Sequence, residues 1–310
     1  MALSVVIVPF ADPEGVERVL EALEPQRTDD CEVIVPCDAF LADVRGLEAR
    51  FPHVEFVALP GRHHPAVLRA AGVARATGTI VAILEDHCIP AADWCVAVLA
   101  AHDTPSAAAG GAIEKGFPPG RDDDTAVNWA LYLADYSRYS LPLAPGPAGG
   151  ASDCNVSYKR EALTRVASSW ADEFHENVVH SALLAIGETV VCDPRVVVHE
   201  QRSLALAAAL HDRFSFGRVF GATRAAGLPA HRRASMALAA PLIPALSLLR
   251  VARLVAARRR FVAPFIRSFP ALVILTSAWA AGEMCGYVTG FPRRDAARPA
   301  SDRVPEGEIA

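Results

Sequence analysis

Thr79-Ile80-Val81-Ala82-Ile83-Leu84 is a short apolar run, and Glu85-Asp86-His87 follows it directly. A run this brief, rich in β-branched residues and apolar at successive positions, predicts a strand buried on both faces. Working outward, the same pattern recurs. Leu3 to Pro9 (LSVVIVP) predicts a first strand, closed by the turn Pro9-Phe10-Ala11-Asp12-Pro13. Glu14 to Leu23 then places apolar residues at 16, 19, 20 and 23, which is helical spacing. Glu32 to Pro36 (EVIVP) predicts a second buried strand, followed by a weakly helical stretch to Arg50. Val54 to Leu59 is a third strand, and the Ala-rich Pro65 to Arg75 is a helix leading back to Thr79. Strands alternating with helices, each strand nearly all apolar, define an α/β fold with a parallel sheet covered on both faces.

Further along, the pattern loosens from Ala107 to about Gly150. Pro118-Pro119-Gly120 and Pro142 to Gly150 are loop-rich, and Arg121-Asp122-Asp123-Asp124 reads as a solvated helix start. Alternation resumes with a strand near Asp153 to Tyr158, a helix from Glu173 to Ile186, and strands at Thr189–Cys192 and Arg195–His199. Long loops late in an α/β domain commonly carry the second substrate's binding site.

The whole chain has 310 residues, 52% apolar and 21% charged, enough for a sizeable core and incompatible with wholesale disorder. That length predicts two domains, or one large domain with an appendage. Seven cysteines, scattered and without a CxxC pair, argue against a disulfide framework or zinc ribbon and for a reducing compartment. The N-terminus lacks a basic region before its apolar run, so it is not read as a signal peptide.

The net charge of −5 hides an asymmetry. Gln201 to Arg294 holds 14 Arg against two acids, Asp212 and Glu283, a net +12, so the remaining residues sum to −17. Leu204 to Arg224 predicts a helix with Arg213 and Arg224 on it. Ala234 to Leu249 is uncharged but contains Pro241 and Pro244, and Arg258-Arg259-Arg260 separates it from the apolar stretch Phe261 to Gly282. The uninterrupted part, Phe269 to Gly282, is about 21 Å long as a helix against about 30 Å of hydrocarbon. A pair of helices lying in the interface, arginines among anionic headgroups, is therefore expected. A buried hairpin or a homo-oligomer interface is the alternative. The last twenty residues, rich in Pro, Arg and acids, read as a disordered tail.

Ligands of open α/β sheets gather at the carboxyl ends of strands, which directs attention to Glu85-Asp86-His87. Two carboxylates and an imidazole there can offer oxygen and nitrogen to a divalent metal, although a solvated turn capping a helix near Ala91 fits the same residues. Asp38 ends the second strand and Pro9 to Glu14 follow the first, so three strand ends offer polar groups on one rim.

This order resembles family 2 glycosyltransferases, which have the GT-A fold, over about residues 3 to 225. Pro9-Phe10-Ala11-Asp12 stands where the family has a Pro-Thr-Tyr-Asn-like turn, and Cys37-Asp38 loosely matches its Asp-Asp-Gly-Ser. Arg69-Ala70-Ala71-Gly72 matches an Arg-Asn-x-Gly segment, and Leu84-Glu85-Asp86-His87 the metal motif. Gly150 to Arg160, with Asp153 and Asn155, is similar to the acceptor-side strand; Phe174-His175-Glu176-Asn177 takes the place of a Glu-Asp pair; Cys192 to His199 resembles the stretch that ends in His. The motifs are weak singly and specific in their order.

The resemblance implies a GT-A domain over 1–202, basic, apolar, membrane-associating helices over 203–290 and the tail over 291–310. It implies inverting transfer of a sugar from a nucleoside-diphosphate donor, commonly a UDP-sugar, to a hydroxyl of a membrane-presented or lipid-linked glycan acceptor at the cytoplasmic face of the membrane. Pro9, Ala11, Glu14, Asp38, Arg69, Glu85 and Asp86 would bind the nucleotide sugar. Asp86, His87 and His199 would hold Mn2+ or Mg2+, Asp153 and Asn155 would orient the sugar, and Glu176 would be the base. Two departures favour an inactive binding or scaffold module instead: His87 replaces the usual metal-binding Asp, and Asn177 the second acid of the pair.

Other readings fail on spacing. His175 and His180 are five apart, not the four of a zinc-protease helix. There is neither a GxGxxG after the first strand nor a GxxxxGK[ST] anywhere, which removes Rossmann dehydrogenases and P-loop NTPases. Long uncharged runs without interleaved aromatics argue against nucleic acid as the partner of the basic third.

Overall fold

The computed structural model describes residues 2–9, 13–39, 41, 44–118, 120 and 123–290. Ala11 with Phe10 and Asp12, the Arg121-Asp122 half of the acidic run, and the expected tail lie outside the described residues. The chain divides into two compact units. The first runs to Gly116 and resumes over Tyr139–Gln201; the second joins Phe117–Arg138 to the chain from Arg202 onward.

The first unit opens with β1 (Leu3–Val8), α1 (Pro13–Leu23), β2 (Cys31–Asp38), α2 (Val44–Arg50) and β3 (Val54–Leu59). It continues with α3 (Pro65–Arg75), β4 (Ile80–Glu85), β5 (Cys88–Pro90), α4 (Trp94–Ala101) and β6 (Ala108–Lys115). The second unit's α5 (Ala126–Asp135) intervenes before β7 (Gly146–Pro147), β8 (Asn155–Lys159), α6 (Arg160–Arg165), α7 (Glu176–Ala185) and β9 (Val190–Glu200). The rest of the second unit is α8 (Leu206–Ala225), α9 (Ala230–Ala239), α10 (Ile243–Arg258) and α11 (Val262–Thr289).

The sheet runs β3-β2-β1-β4-β8-β6-β9-β5, with β7 added to β9. β1 and β4 are buried along their whole length, as their apolar sequences require. On α1 the four apolar positions at helical spacing, Val16, Val19, Leu20 and Leu23, are all in the core. The sheet is the expected GT-A-like one, mostly parallel in its first strands and mixed beyond them. β3, β2, β1 and β4 are mutually parallel, as are β6 and β9, but β8 runs antiparallel between β4 and β6. Burial on both faces marks a strand as central without fixing its direction, and β8 (NVSYK) is buried at four of its five positions although its residues alternate polar and apolar.

Two differences have local causes. β6 lies in the stretch expected to be loop, because its Ala-Ala-Gly-Gly segment carries little β-propensity. A Cβ on Gly111 would lie 2.0 Å from the Val196 carbonyl oxygen, so close packing selected the residue that weakens the signal. The two short strands expected at 189–199 are one, β9. Its register against β6 shifts between Gly111 and Ala112, opposite Asp193 and Val197, which places Pro194 in a bulge where its missing N–H costs no ladder bond.

In the second unit, α8 and α11 approach through glycines spaced four apart on each helix. A Cβ on Gly217 or Gly221 would meet the backbone of Trp279 or Glu283, and one on Gly282 would lie 2.0 Å from the Phe214 carbonyl oxygen. α11 runs 28 residues, well beyond the stretch counted between charges. It continues through Arg267, which pairs with Asp124, and through Glu283, which accepts from Trp279 Nε1 at 2.8 Å and from the Tyr287 hydroxyl. A charge with a local partner does not end a helix. The same holds for much of the arginine surplus: Arg202 pairs with Asp212 at 2.5 Å, Arg213 with Asp135, and Arg258 donates to the Ser137 carbonyl at 2.7 Å. These arginines serve the unit itself, leaving Arg232, Arg253 and Arg259 on its surface.

That surface is apolar over a continuous stripe. Leu238, Leu242, Leu246 and Leu249 are exposed at helical spacing, and Val262, Ile266 and Phe269 are exposed on α11. Ala230–Arg258 and Val262–Thr289 are each long and apolar enough to cross a membrane. The two apolar C-terminal helices fit a membrane-associating segment.

Candidate active site

The carboxyl ends of β1, β2 and β4 define the rim. Asp86, the residue after β4, donates its N–H to the Val8 carbonyl at 3.1 Å, tying it to the end of β1. α1 starts against it, since a Cβ on Gly15 would lie 3.0 Å from the Asp86 carbonyl oxygen. Pro9 is buried beside this junction, whereas Glu14 is exposed in the first turn of α1, 3.9 Å from Arg18. Asp38 is buried at the end of β2, where its Oδ2 accepts the His63 N–H at 2.8 Å and so holds the loop after β3.

Behind the rim sits a buried ionic cluster. α3 begins at Pro65, with His64 Nδ1 capping the Ala66 N–H at 3.2 Å, and lies tight on the sheet because Gly72 has no side chain to strike Val6. That placement carries Arg69 inward, where its guanidinium binds Glu85 Oε1 and, at 2.7 Å, Asp153 Oδ2. Arg69, expected to touch the nucleotide, pairs with these two carboxylates. Burial weakens Glu85 as an acid, Asp153 adds to that, and Arg69 and His87 oppose it; the net direction is upward.

His87 occupies the centre. Its Nδ1 is 3.4 Å from Asp86 Oδ1, and its Nε2 is 3.5 Å from Glu85 Oε2 and 4.0 Å from Cys154 Sγ. Burial opposes its charge, yet Cys88, Asp86 and Glu85 together raise its pKa well above the ordinary imidazole value. Glu176 opens α7 and is half-buried. Burial first, then Asp153, pushes its carboxyl up to about 8, against the pull of Arg69.

Two residues lie elsewhere than their assigned roles suggest. Asn155 is buried: its Oδ1 accepts from Trp94 Nε1 at 2.9 Å, and its Nδ2 donates to the Ala112 and Val196 carbonyls, both at 3.0 Å. It fastens β8 to β6 and β9 and thereby sets Asp153 and Cys154. His199 is exposed and pairs across from Ile89, whereas Cys88 pairs with the buried Glu200. Alternate residues of a strand face opposite ways, so His199 points away from Cys88.

Among the described residues, two groups bring three metal-ligating side chains within 4.8 Å of one another: His87, Cys88 and Cys154, and Glu85, Asp153 and Cys154. Cys88 and Cys154 were missed in the sequence. Their signal was adjacency, Cys88 following Glu-Asp-His and Cys154 lying between Asp153 and Asn155, but a search for CxxC spacing passes over partners so far apart in the chain.

An α/β sheet of this order, with acids and an imidazole at its central strand ends, defines a GT-A-like nucleotide-sugar transferase fold. The sequence matches the glycosyl transferase family 2 profile over residues 4–166, more than half of the chain, and the protein belongs to that family. It is therefore a glycosyltransferase. Its structure is similar to that of the mannosyltransferase PcManGT from Pyrobaculum calidifontis, solved in complex with GDP-Man and Mn2+. The two are 18% identical, the match covers 90% of this chain and 85% of that one, and the TM-score is 0.55, a likeness of fold. No curated protein sequence matches the chain.

Proposed function

We propose that the chain transfers a sugar, with inversion, from a nucleoside-diphosphate donor to a hydroxyl of a lipid-linked or otherwise membrane-presented acceptor. The observation that carries this reading is the convergence of Glu85-Asp86-His87, Arg69, Asp153 and Glu176 at the ends of the central strands of a family 2 chain. Asp38, Pro9 and Glu14 take the nucleotide side of that rim, and Ala11, in the sequence between Pro9 and Glu14, is assigned to the same role.

Asp86 Oδ1 and His87 Nδ1 are 3.4 Å apart, a separation that neighbouring donors of one cation can take, so these two residues fit a divalent metal. Their mixed oxygen and nitrogen character favours Mn2+ over Mg2+. When bound there, such a cation offsets the negative charge that develops on the leaving diphosphate. Arg69 holds Glu85 and Asp153 in place, and Asp153, half-buried at the edge of the cluster, orients the donor sugar. Glu176 in its ionised form takes the proton from the acceptor hydroxyl as that oxygen attacks the anomeric carbon.

The apolar stripe on the second unit seats the chain in the interface of an anionic membrane, on the cytoplasmic side, with Arg232, Arg253 and Arg259 among the headgroups. The competing reading, an inactive binding module, draws on Asn177 and on the mutual neutralisation of Arg69 with Glu85 and Asp153.

Calorimetric titration of UDP, GDP and dTDP into detergent-solubilised protein, with and without Mn2+, tests the reading. Metal-dependent binding of one of them supports it and names the donor class. Folded protein that binds none of the three is the inactive module.

A further inference from the structure

The sulfur atoms beside His87 have no part in the proposed transfer. β4 ends at Glu85, a two-residue turn delivers His87, and β5 begins at Cys88; β8, antiparallel to β4, starts next to Cys154. Topology alone thus gathers a carboxylate, an imidazole and two thiols from positions 69 residues apart at most. Glu85, His87, Cys88 and Cys154 are all buried.

The spacing of their donor atoms is that of a coordination shell. Zinc bonds of about 2.0–2.1 Å to nitrogen or oxygen and about 2.3 Å to sulfur, arranged tetrahedrally, separate the donors by about 3.3–3.8 Å. Here Cys154 Sγ is 3.0 Å from Glu85 Oε2 and 4.0 Å from His87 Nε2, and His87 Nε2 is 3.5 Å from Glu85 Oε2. The three donors of Glu85, His87 and Cys154 need move only by fractions of an ångström, and Cys88 closes on them from within 4.8 Å of His87 and Cys154.

The surroundings are those of a ligand set as well. The other nitrogen of His87 faces the Asp86 carboxylate at 3.4 Å, the carboxylate–histidine arrangement that fixes ring orientation in zinc sites. The other oxygen of Glu85 is held by Arg69, so Oε2 is the one turned toward the sulfurs. Two thiolates and one carboxylate carry three negative charges; Zn2+ offsets two of them, and Arg69 is shared between Glu85 and Asp153.

We infer that Glu85 Oε2, His87 Nε2, Cys88 Sγ and Cys154 Sγ form a binding site for a thiophilic divalent cation, Zn2+. Each thiol, and the His87 imidazolium at Nε2, releases its proton to solvent as the cation binds, and no electron is transferred. Sulfur and nitrogen donors select against Mg2+ and Mn2+ at this position. One consequence rests on the function proposed above. With His87 bound to zinc and Asp86 steering its ring, neither residue is available to the cation of the diphosphate, so zinc opposes Mn2+-supported transfer.

The test uses full-length protein in detergent, stripped by chelator and dialysed against Zn2+ or Co2+ without nucleotide sugar. The expected result is one equivalent of metal per chain and, with Co2+, a thiolate-to-cobalt charge-transfer band. Cys88→Ser and Cys154→Ser each cut the band to about half and weaken Zn2+ binding at least tenfold, the double variant abolishes the band, and Cys285→Ser retains both. For variants that do not fold, wild-type protein supplies the second readout: Zn2+ protects Cys88 and Cys154 from alkylation, read by peptide mass spectrometry, and an equal concentration of Mn2+ does not. Folded protein without a thiolate band, or with both cysteines alkylated equally fast in Zn2+, overturns the site. Because metal binding is read without turnover, an inactive protein that binds zinc refutes the transfer reading and leaves this one standing.

Discussion

Asn155 separates a role in holding the sheet from a role in holding the sugar. Replacing it with Ala removes three hydrogen bonds made inside the first unit. Trp94 Nε1–H has only one proton to give and is buried, so it is left stranded at a cost of about 1–3 kcal/mol. The Ala112 and Val196 carbonyls each lose one partner, at about 0.5–1.5 kcal/mol apiece. The sum is about 4 kcal/mol, a large share of the roughly 5–15 kcal/mol by which domains are stable. At about 2–4 °C per kcal/mol for a unit of this size, the melting temperature falls by about 10 °C. Differential scanning calorimetry of wild type and Asn155→Ala, with intrinsic Trp fluorescence on the same samples, measures it. An unchanged melting temperature together with lost sugar transfer would refute the reasoning and restore Asn155 to the sugar.

Three other outcomes follow from the same geometry. Arg69→Leu strands Glu85 and Asp153 and destabilises the protein by about 3–5 kcal/mol at neutral pH. The loss shrinks in acid, where the Glu85 carboxyl, pushed upward by burial, takes a proton, and urea midpoints at two pH values read the difference. With its carboxyl near 8, Glu176 is mostly protonated at neutral pH, so kcat/KM rises with pH and levels off above about 8. The folded state there holds a proton that the unfolded chain has released, so stability falls as pH rises from the ordinary glutamate range to about 8, and Glu176→Gln removes both effects. Leu242→Asp with Leu246→Asp, on the exposed stripe, shifts the protein from the membrane to the soluble fraction, and alkaline carbonate releases the wild type; carbonate resistance would show instead that the helices span.

Much of the first unit was legible because its elements announce themselves locally. The strands at Leu3 and Ile80 are apolar runs bounded by turns, and α1 shows its buried stripe as a period. β6 was hidden because close packing against Val196 demanded glycine, the residue that most weakens a strand signal. Site legibility divided along the same line. Asp86 and His87 stand at a strand end, where chain order alone places ligands, and the structure holds them together. Cys154 joined them only through the antiparallel pairing of β8 with β4, a neighbourhood that neither strand's own sequence carries. Composition counts arginine's charge without its partners, so the pairing of Arg213 and Arg267 with Asp135 and Asp124 within the second unit was not legible.

The most direct test of the account is nucleoside-diphosphate release from a panel of nucleotide sugars, using membranes that contain the full-length protein and Mn2+. The account predicts turnover of one donor by the wild type and a fall of about 100-fold or more in Asp86→Ala. Full activity in Asp86→Ala, or folded wild type that consumes none of the donors, would contradict it.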